Sequence, residues 1–323
     1  MLRLFSALVV LFFVTGCALV DSYTYTMSVL PLDAAFAINK SGAIAGRVGD
    51  NAAVYTGGSV VLLPRMAGYS ALTATDISDN GFIVGTGLSA GNQRALFWSS
   101  TTAAPLDIGA IGDMMPMSIN SQGIVVGFYT SPGSFPRAFR WSLTSGITDI
   151  APDTTSQSRA YDISDTGYIA GMAVYHSIGQ QVVRWLPDGT PGRFDGSEAY
   201  RALNNGSIFG IRLAPDGATL WPLTGSPIPF GPSAATHFVK QMSDVGRLVG
   251  FTHNYRAWTS RHGSNTPLDL PVPAGTLNSY AYDVSSCGTI LGSVKLSTSV
   301  DQWVIWHKLF CDDLLVEPVA TVR

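Results

Sequence analysis

The chain has 323 residues, a formal net charge of −3 and only 13% charged side chains, about half the usual share for a soluble domain. Near-neutral charge excludes the basic stripe that nucleic acid requires, and 46% hydrophobic with 11% aromatic content excludes a disordered chain. Glu occurs only at Glu198 and Glu317 and Lys only at Lys40, Lys240, Lys295 and Lys308, beside 34 Gly and 18 Pro, which excludes a mostly helical protein.

The chain opens with Met1-Leu2-Arg3 and an apolar run from Leu4 to Val14 interrupted only by Ser6. That run is too short to span a bilayer and suits a signal-peptide core. It ends in Val14-Thr15-Gly16-Cys17, which resembles the lipobox of bacterial lipoproteins. The resemblance implies cleavage before Cys17 and acylation of that residue, with several acyl chains giving a stable anchor. Ala18 follows instead of the Asp that resembles an inner-membrane retention signal, so the resemblance points to the outer membrane of the cell envelope. The alternative is an ordinary secretory leader with a cysteine at this place by chance.

Seven copies of Gly-x-[Ile/Val/Leu]-x-Gly then organise the sequence. They begin at Gly42, Gly81, Gly123, Gly167, Gly206, Gly246 and Gly288, at separations of 39 to 44 residues. Each is followed by a short run ending in Tyr55, Trp98, Trp141, Trp185, Trp221, Trp258 or Trp306. Repeat four shows the grammar: a strand at Ala160–Ile163, a Ser-Asp-Thr-Gly turn, and a strand at Tyr168–Met172. A third strand follows at Gln181–Trp185, and a fourth comes after Pro187-Asp188-Gly189. Four strands in about 40 residues is the size of a propeller blade. The spacing predicts an all-β, seven-bladed β-propeller, with a β-solenoid as the alternative. The domain plan is a signal peptide at 1–16, a lipidated tether at 17–22, the propeller at 23–316 and a tail at 317–323.

Two segments compete to complete the last blade. Tyr23–Leu30 reads as a strand ahead of repeat one, and Asp312–Val316 lies where other repeats place their own fourth strand. The expectation is that the N-terminal strand locks the ring. Cys287 falls in the first turn of repeat seven and Cys311 just beyond its third strand, so an exported protein is expected to pair them as a disulfide. Two free thiols are the alternative.

The unit Met117-Ser-Ile-Asn120, Gly123–Gly127 and Arg137-Ala-Phe-Arg-Trp141 resembles the extracellular HAF repeat family, as does Leu106-Asp-Ile-Gly-Ala-Ile-Gly112. The likeness is strongest in repeats two to four and weakest in five to seven. The naming histidine is absent, with Arg94 and Arg137 ahead of the Ala-Leu-Phe-Trp and Ala-Phe-Arg-Trp runs instead. The resemblance implies a repeated extracellular β-domain and brings no activity with it.

Candidate chemistry is sparse. Gly87-Leu-Ser-Ala-Gly91 spells a nucleophile elbow, and Gly85–Ala90 begins a dinucleotide fingerprint. Both need a helix, and a strand (Gln93–Trp98) follows. The Ser-Asp-x-Gly turns at 78–81, 164–167 and 243–246 faintly resemble the Asp-box of sialidase propellers with the wrong spacing, and read as structural turns. Histidines 176, 237, 253, 262 and 307 lack metal-ligand spacing, so no metal or cofactor is expected. Six tryptophans at one repeat position read as packing between blades. Trp303 lies outside that register and is a candidate for a surface contact.

One polar pattern stands out. Five residues before each repeat glycine stand Ala37, Asp76, Ser118, Asp162, Arg201, Gln241 and Asp283, each followed by an apolar residue. If the first strand of each blade is innermost, these form a polar ring at the central channel, either a ligand site or a set of groups satisfying neighbouring backbone. The reading favoured by the sequence is a lipid-anchored envelope module that binds an envelope protein or glycan through its loops, such as 128–137 and 172–181. The alternative is a polysaccharide-acting enzyme using Asp and Arg at the channel.

Overall fold

The computed structural model describes residues 25–109, 111–212, 217–229, 237–260, 266–296 and 301–308. Among these residues there are 28 strands and no helix. The strands form seven four-stranded antiparallel sheets set in a ring, a seven-bladed β-propeller. Six of the sheets are up-and-down meanders of four consecutive strands and the seventh holds three consecutive strands and one more, which rules out the solenoid. The innermost strands are Ala34–Ile38, Ser70–Ile77, Asp113–Ile119, Thr155–Ile163, Glu198–Ala202, His237–Met242 and Thr276–Val284.

Blade seven breaks the sequential order, as expected. Its outer strand is Tyr25–Val29, which pairs antiparallel with Gln302–Lys308 from Tyr25↔Lys308 to Val29↔Val304. The N-terminal strand therefore closes the ring. The competing segment Asp312–Val316 lies outside the described residues, as do Cys17 and Cys311. Cys287 sits in the turn between the first two strands of blade seven.

The two ends of the ring differ in origin. Hairpins between first and second strands open on one end, here called the turn face. Loops between second and third strands, together with the connections between blades, form the opposite loop face.

The repeated tryptophans are core residues. Trp98, Trp185, Trp221, Trp258 and Trp306 are at most 1% exposed, and Trp141 is also buried. The indole Nε1 of Trp98, Trp185 and Trp306 donates to the carbonyls of Pro64, Ile150 and Pro271 in the preceding blade, at 2.7–2.9 Å. These three tryptophans therefore fill the seam between two blades and satisfy their one donor there, whereas the buried indole N–H of Trp221 and of Trp258 finds no acceptor among the described residues.

Two glycines frame each first hairpin for different reasons. In Asn120–Gly123 the Gly123 N–H donates to the Asn120 carbonyl, and Gly123 lies at φ +73°. A three-residue loop of this kind ends in a left-handed position that favours glycine. The residue three before the glycine caps the turn: Asn39, Ser78, Asn120, Ser164, Ser243 and Ser285 each accept a backbone N–H from the residue after it. The Ser-Asp-x-Gly turns are thus structural, as expected.

The second glycine answers to space. In every blade the inner strand carries a β-bulge, so that Phe36, Thr75, Met117, Tyr161, Tyr200, Lys240 or Tyr282 has no partner on the second strand. The bulge presses the carbonyl two residues earlier against the second glycine. At Gly127 a Cβ would run into the Met115 carbonyl, and the other six blades repeat the collision. Glycine in a strand marks close backbone approach, and here the bulge is its cause.

Candidate functional site: the central channel

The inner strands line a cavity of about 200 Å³ that is open to solvent. Ala37, Asp76, Ser118, Asp162, Arg201, Gln241 and Asp283 all border it, so the expected ring exists. Ser118 and Asp162 are buried, and the others are half-buried.

The three aspartates of the ring act as clasps between blades. Asp76 Oδ2 accepts the Ile119 N–H of blade three at 2.8 Å, Asp162 Oδ2 the Ala202 N–H of blade five at 2.7 Å, and Asp283 Oδ2 the Ile38 N–H of blade one at 2.9 Å. In Asp76 and Asp283 the other oxygen accepts the N–H of the next residue in its own strand, both at 2.8 Å. Asp162 Oδ1 instead receives the Ser118 hydroxyl at 2.9 Å. Gln241 does only the local half of this, accepting the Met242 N–H at 3.0 Å. Arg201 lies between Asp162, at 3.6 Å, and Asp244, at 3.1 Å. Inner-strand amides that the bulges free are therefore satisfied by side chains of the adjoining blade, as buried backbone requires.

A second belt of clasps runs through the turns. The Lys40 N–H donates to Asp79 at 2.7 Å, Ser121 N–H to Asp165 at 2.8 Å, and Asp165 N–H to Asn204 at 2.9 Å. Asn39 and Asn120 donate to the carbonyls of Ser78 and Ser164. Six carboxylates (Asp76, Asp79, Asp162, Asp165, Asp244, Asp283) face only Lys40 and Arg201 in the cavity wall, making it rich in acceptors.

Burial pushes the Asp76 carboxyl up to about 7, with the like charge of Asp162 adding to the rise against the two backbone N–H donors. Burial also raises Asp283. Burial works against the Arg201 charge, but Asp162, Asp244, Asp283 and Asp76 together hold its pKa above the ordinary arginine value. Between the ordinary value of 3.8 and about 7, the folded chain keeps a proton on Asp76 that the unfolded chain has released. The stability this group contributes is therefore complete at low pH and is lost as pH rises to about 7. Thermal melts from pH 5 to 8 are expected to show that decline, and Asp76→Asn to flatten it. An unchanged pH slope in Asp76→Asn would contradict the assignment.

Other expected features resolve plainly. Gly87, Leu88 and Ser89 lie in a strand that turns directly into Asn92–Trp98, so neither the elbow nor the fingerprint has its helix. Arg94 and Arg137 reach across to the outer strand of their own blades, pairing with Asp107 and Asp149 at 2.8 and 2.7 Å. Tyr69 and Tyr129 donate to the same two carboxylates. His237 packs edge-on against Trp258, while His253 packs against Phe238. Among the described residues no three His, Cys, Asp or Glu are placed to hold a metal ion. Trp303 is half-buried, and its indole donates to the Asp33 carbonyl at 3.2 Å.

The sequence reading missed the bulge residues. Phe36, Thr75, Met117, Tyr161, Tyr200 and Tyr282 line the same cavity as the polar ring. Their signal was the position immediately before each polar residue, where four of seven blades carry an aromatic.

No family model matches the chain, and no curated protein sequence matches it either. Solved propellers do. YCF48 bound to D1 peptide is 15% identical over 92% of this chain and 98% of its own, with a TM-score of 0.52. A puromycin hydrolase is 13% identical over 88% of this chain and 54% of its own, with a TM-score of 0.54. TolB from Acinetobacter baumannii is 12% identical over 83% of this chain, with a TM-score of 0.46, and the chain spans 64% of its length. At these identities the likeness is one of fold alone.

Proposed function

We propose that the protein is a lipid-anchored binding or scaffold module of the bacterial cell envelope, held through Cys17 at the outer membrane and recognising an envelope protein or glycan through its loop face. One observation carries the reading. Large apolar side chains left exposed gather on the loop face: Leu88, Ile111, Phe135, Ile178, Phe238, Tyr255 and Leu277. Phe135 is 65% exposed at the tip of the second loop of blade three, and Ile178 is 47% exposed in that of blade four. The turn face offers Leu143 and Leu223. Apolar side chains exposed on one end of a rigid ring, carried here by blades two to four, six and seven, suit an interaction face.

The path of the chain fits this orientation. Tyr25 enters blade seven at its turn-face end, opposite Lys308, and the strand runs toward the loop face. An anchor at Cys17 is thereby joined to the ring at the turn-face end, the end opposite the proposed recognition face. Pairing of Cys287 with Cys311 belongs to the same reading, as a staple on the blade that closes the ring.

Photo-crosslinkers placed at Phe135, Ile178, Leu143 and Leu223 in cells test the proposal. Adducts are expected from the first two positions only, with the protein in the membrane fraction, and Cys17→Ser is expected to release it to the soluble fraction. Adducts from Leu143 and Leu223 alone, or a membrane fraction indifferent to Cys17→Ser, would contradict it.

One observation favours a second reading, a polysaccharide-acting enzyme. An aspartate raised to about 7 beside a second carboxylate is the pairing used for general acid catalysis. Against this, Asp76 already accepts a backbone N–H on each oxygen. Release of new reducing ends from a polysaccharide, lost in Asp76→Asn, would favour the enzyme.

A further inference from the structure

Blades six and seven carry an aromatic feature that neither the blade seams nor the polar clasps account for. Phe238 and Phe251 stand 5.1 Å apart between ring centroids, Phe251 and Tyr280 5.0 Å, Tyr280 and Tyr282 5.9 Å, and Tyr282 and Trp303 5.6 Å. Tyr255 leans on this row from the loop, 6.5 Å from Phe251 and 6.0 Å from Tyr280. The row begins on the loop face, where Phe238 is 41% and Tyr255 49% exposed, and descends to Tyr282 in the channel wall. A core cluster would hide these rings.

The loop that presents Tyr255 is strained. Its hydrogen bonds repeat those of the first hairpins: Tyr255 N–H to the Thr252 carbonyl at 2.8 Å, Thr252 N–H to the Arg256 carbonyl at 2.9 Å, and Arg256 N–H to the Thr252 hydroxyl at 3.1 Å. In all seven first hairpins the corresponding left-handed residue is glycine, whereas here it is tyrosine at φ +55°. A bulky side chain in that conformation is disfavoured and persists where something else requires it. Here it places an exposed ring beside the row.

We infer that this aromatic row is a binding platform for a neutral, hydroxyl-rich ligand, an oligosaccharide that stacks on the rings and directs one end into the channel. This rests on the loop-face reading above and names its ligand class. Two observations select a sugar. Aromatic faces stack against the C–H faces of sugar rings, and the row meets the channel at Tyr282, next to Asp283 in a wall that carries six carboxylates. Such a wall accepts hydrogen bonds from hydroxyls and repels the carbonyls of a proline-rich peptide, the other partner that aromatic grooves take. It also disfavours acidic sugars.

The test is calorimetry on the full mature protein with cellohexaose, maltohexaose, xylohexaose, N-acetylchitohexaose and a proline-rich decapeptide, with tryptophan emission read in parallel. Trp303 is the reporter, because the other six tryptophans are buried. At least one oligosaccharide is expected to bind and shift the emission, and Trp303→Phe to abolish most of the shift. Tyr255→Asn and Tyr280→Ser are each expected to weaken binding at least tenfold. Asn suits the left-handed position, so Tyr255→Asn keeps the fold even if Tyr280→Ser disturbs it. No oligosaccharide binding at millimolar concentration, or binding indifferent to Tyr255→Asn, overturns the inference. Binding of the decapeptide alone overturns it while leaving the loop-face reading intact. Failure of the crosslinks at Phe135 and Ile178 would remove that reading separately.

Discussion

Gly127→Ala is expected to destabilise the protein more than Gly123→Asn. The two glycines belong to one motif but answer to different constraints. A Cβ at Gly127 meets the Met115 carbonyl and the Pro116 backbone, neither of which can swing aside as a flexible side chain would. Overpacking of this kind costs about 1–3 kcal/mol, and a rigid backbone neighbour puts Gly127→Ala at the upper end. Nothing crowds Gly123 closer than 3.6 Å from the Phe82 ring, and its constraint is the positive φ. Asn tolerates that conformation, so Gly123→Asn is expected to lose less than about 1 kcal/mol. Urea unfolding of the two variants is the measurement. Equal losses for Gly127→Ala and Gly123→Asn would show that the bulge does not press on the second glycine.

Asp162→Ala is the second large effect. The substitution removes the acceptor for the Ala202 N–H and the Ser118 hydroxyl, and takes one of two carboxylates from Arg201. Breaking one partner out of a buried ionic pair costs about 3–5 kcal/mol. Arg201 keeps Asp244 and is partly exposed, which places the expected loss near the lower limit. Asp162→Asn, which retains one acceptor, is expected to lose about half as much. The turn-face clasp of Asp79 on the Lys40 N–H is exposed, so Asp79→Ala is expected to cost about 1 kcal/mol or less. Chemical denaturation of the three variants orders them. An Asp162→Ala variant no less stable than Asp79→Ala would mean the channel aspartates do not tie the blades together.

Much of this architecture was legible because it is repeated. Seven glycine pairs and seven aromatics in register announce seven blades, and the strand ahead of repeat one announces how they close. The polar ring was legible for the same reason, since Asp76, Asp162 and Asp283 share one register position. Its role as a clasp followed from burial, which obliges such groups to find partners. The bulges were hidden, because an extra residue in a strand leaves no mark on composition. Their trace was the second glycine of each pair, whose cause becomes visible only once the opposing carbonyl is placed. The aromatic row was hidden more deeply. Phe238 and Tyr280 share one register position and Tyr282 is a bulge residue, but Phe251, Tyr255 and Trp303 come from other positions, and the six meet only when the ring is assembled. Tyr255 follows no turn signal at all, because the hairpin it ends takes glycine in that place elsewhere.

The central claim is a division of labour, in which the channel carboxylates hold the ring together and the loop-face aromatics meet the ligand. Thermal melts and oligosaccharide calorimetry on Asp162→Asn and Tyr255→Asn, measured side by side, test it most directly. Asp162→Asn is expected to melt at lower temperature with affinity unchanged, because buried Asp162 already spends its two oxygens on Ser118 and Ala202 and offers none to a ligand, and Tyr255→Asn to keep its melting temperature and lose affinity at least tenfold. The reverse pattern, with affinity lost in Asp162→Asn and retained in Tyr255→Asn, would place the site among the carboxylates and contradict the account.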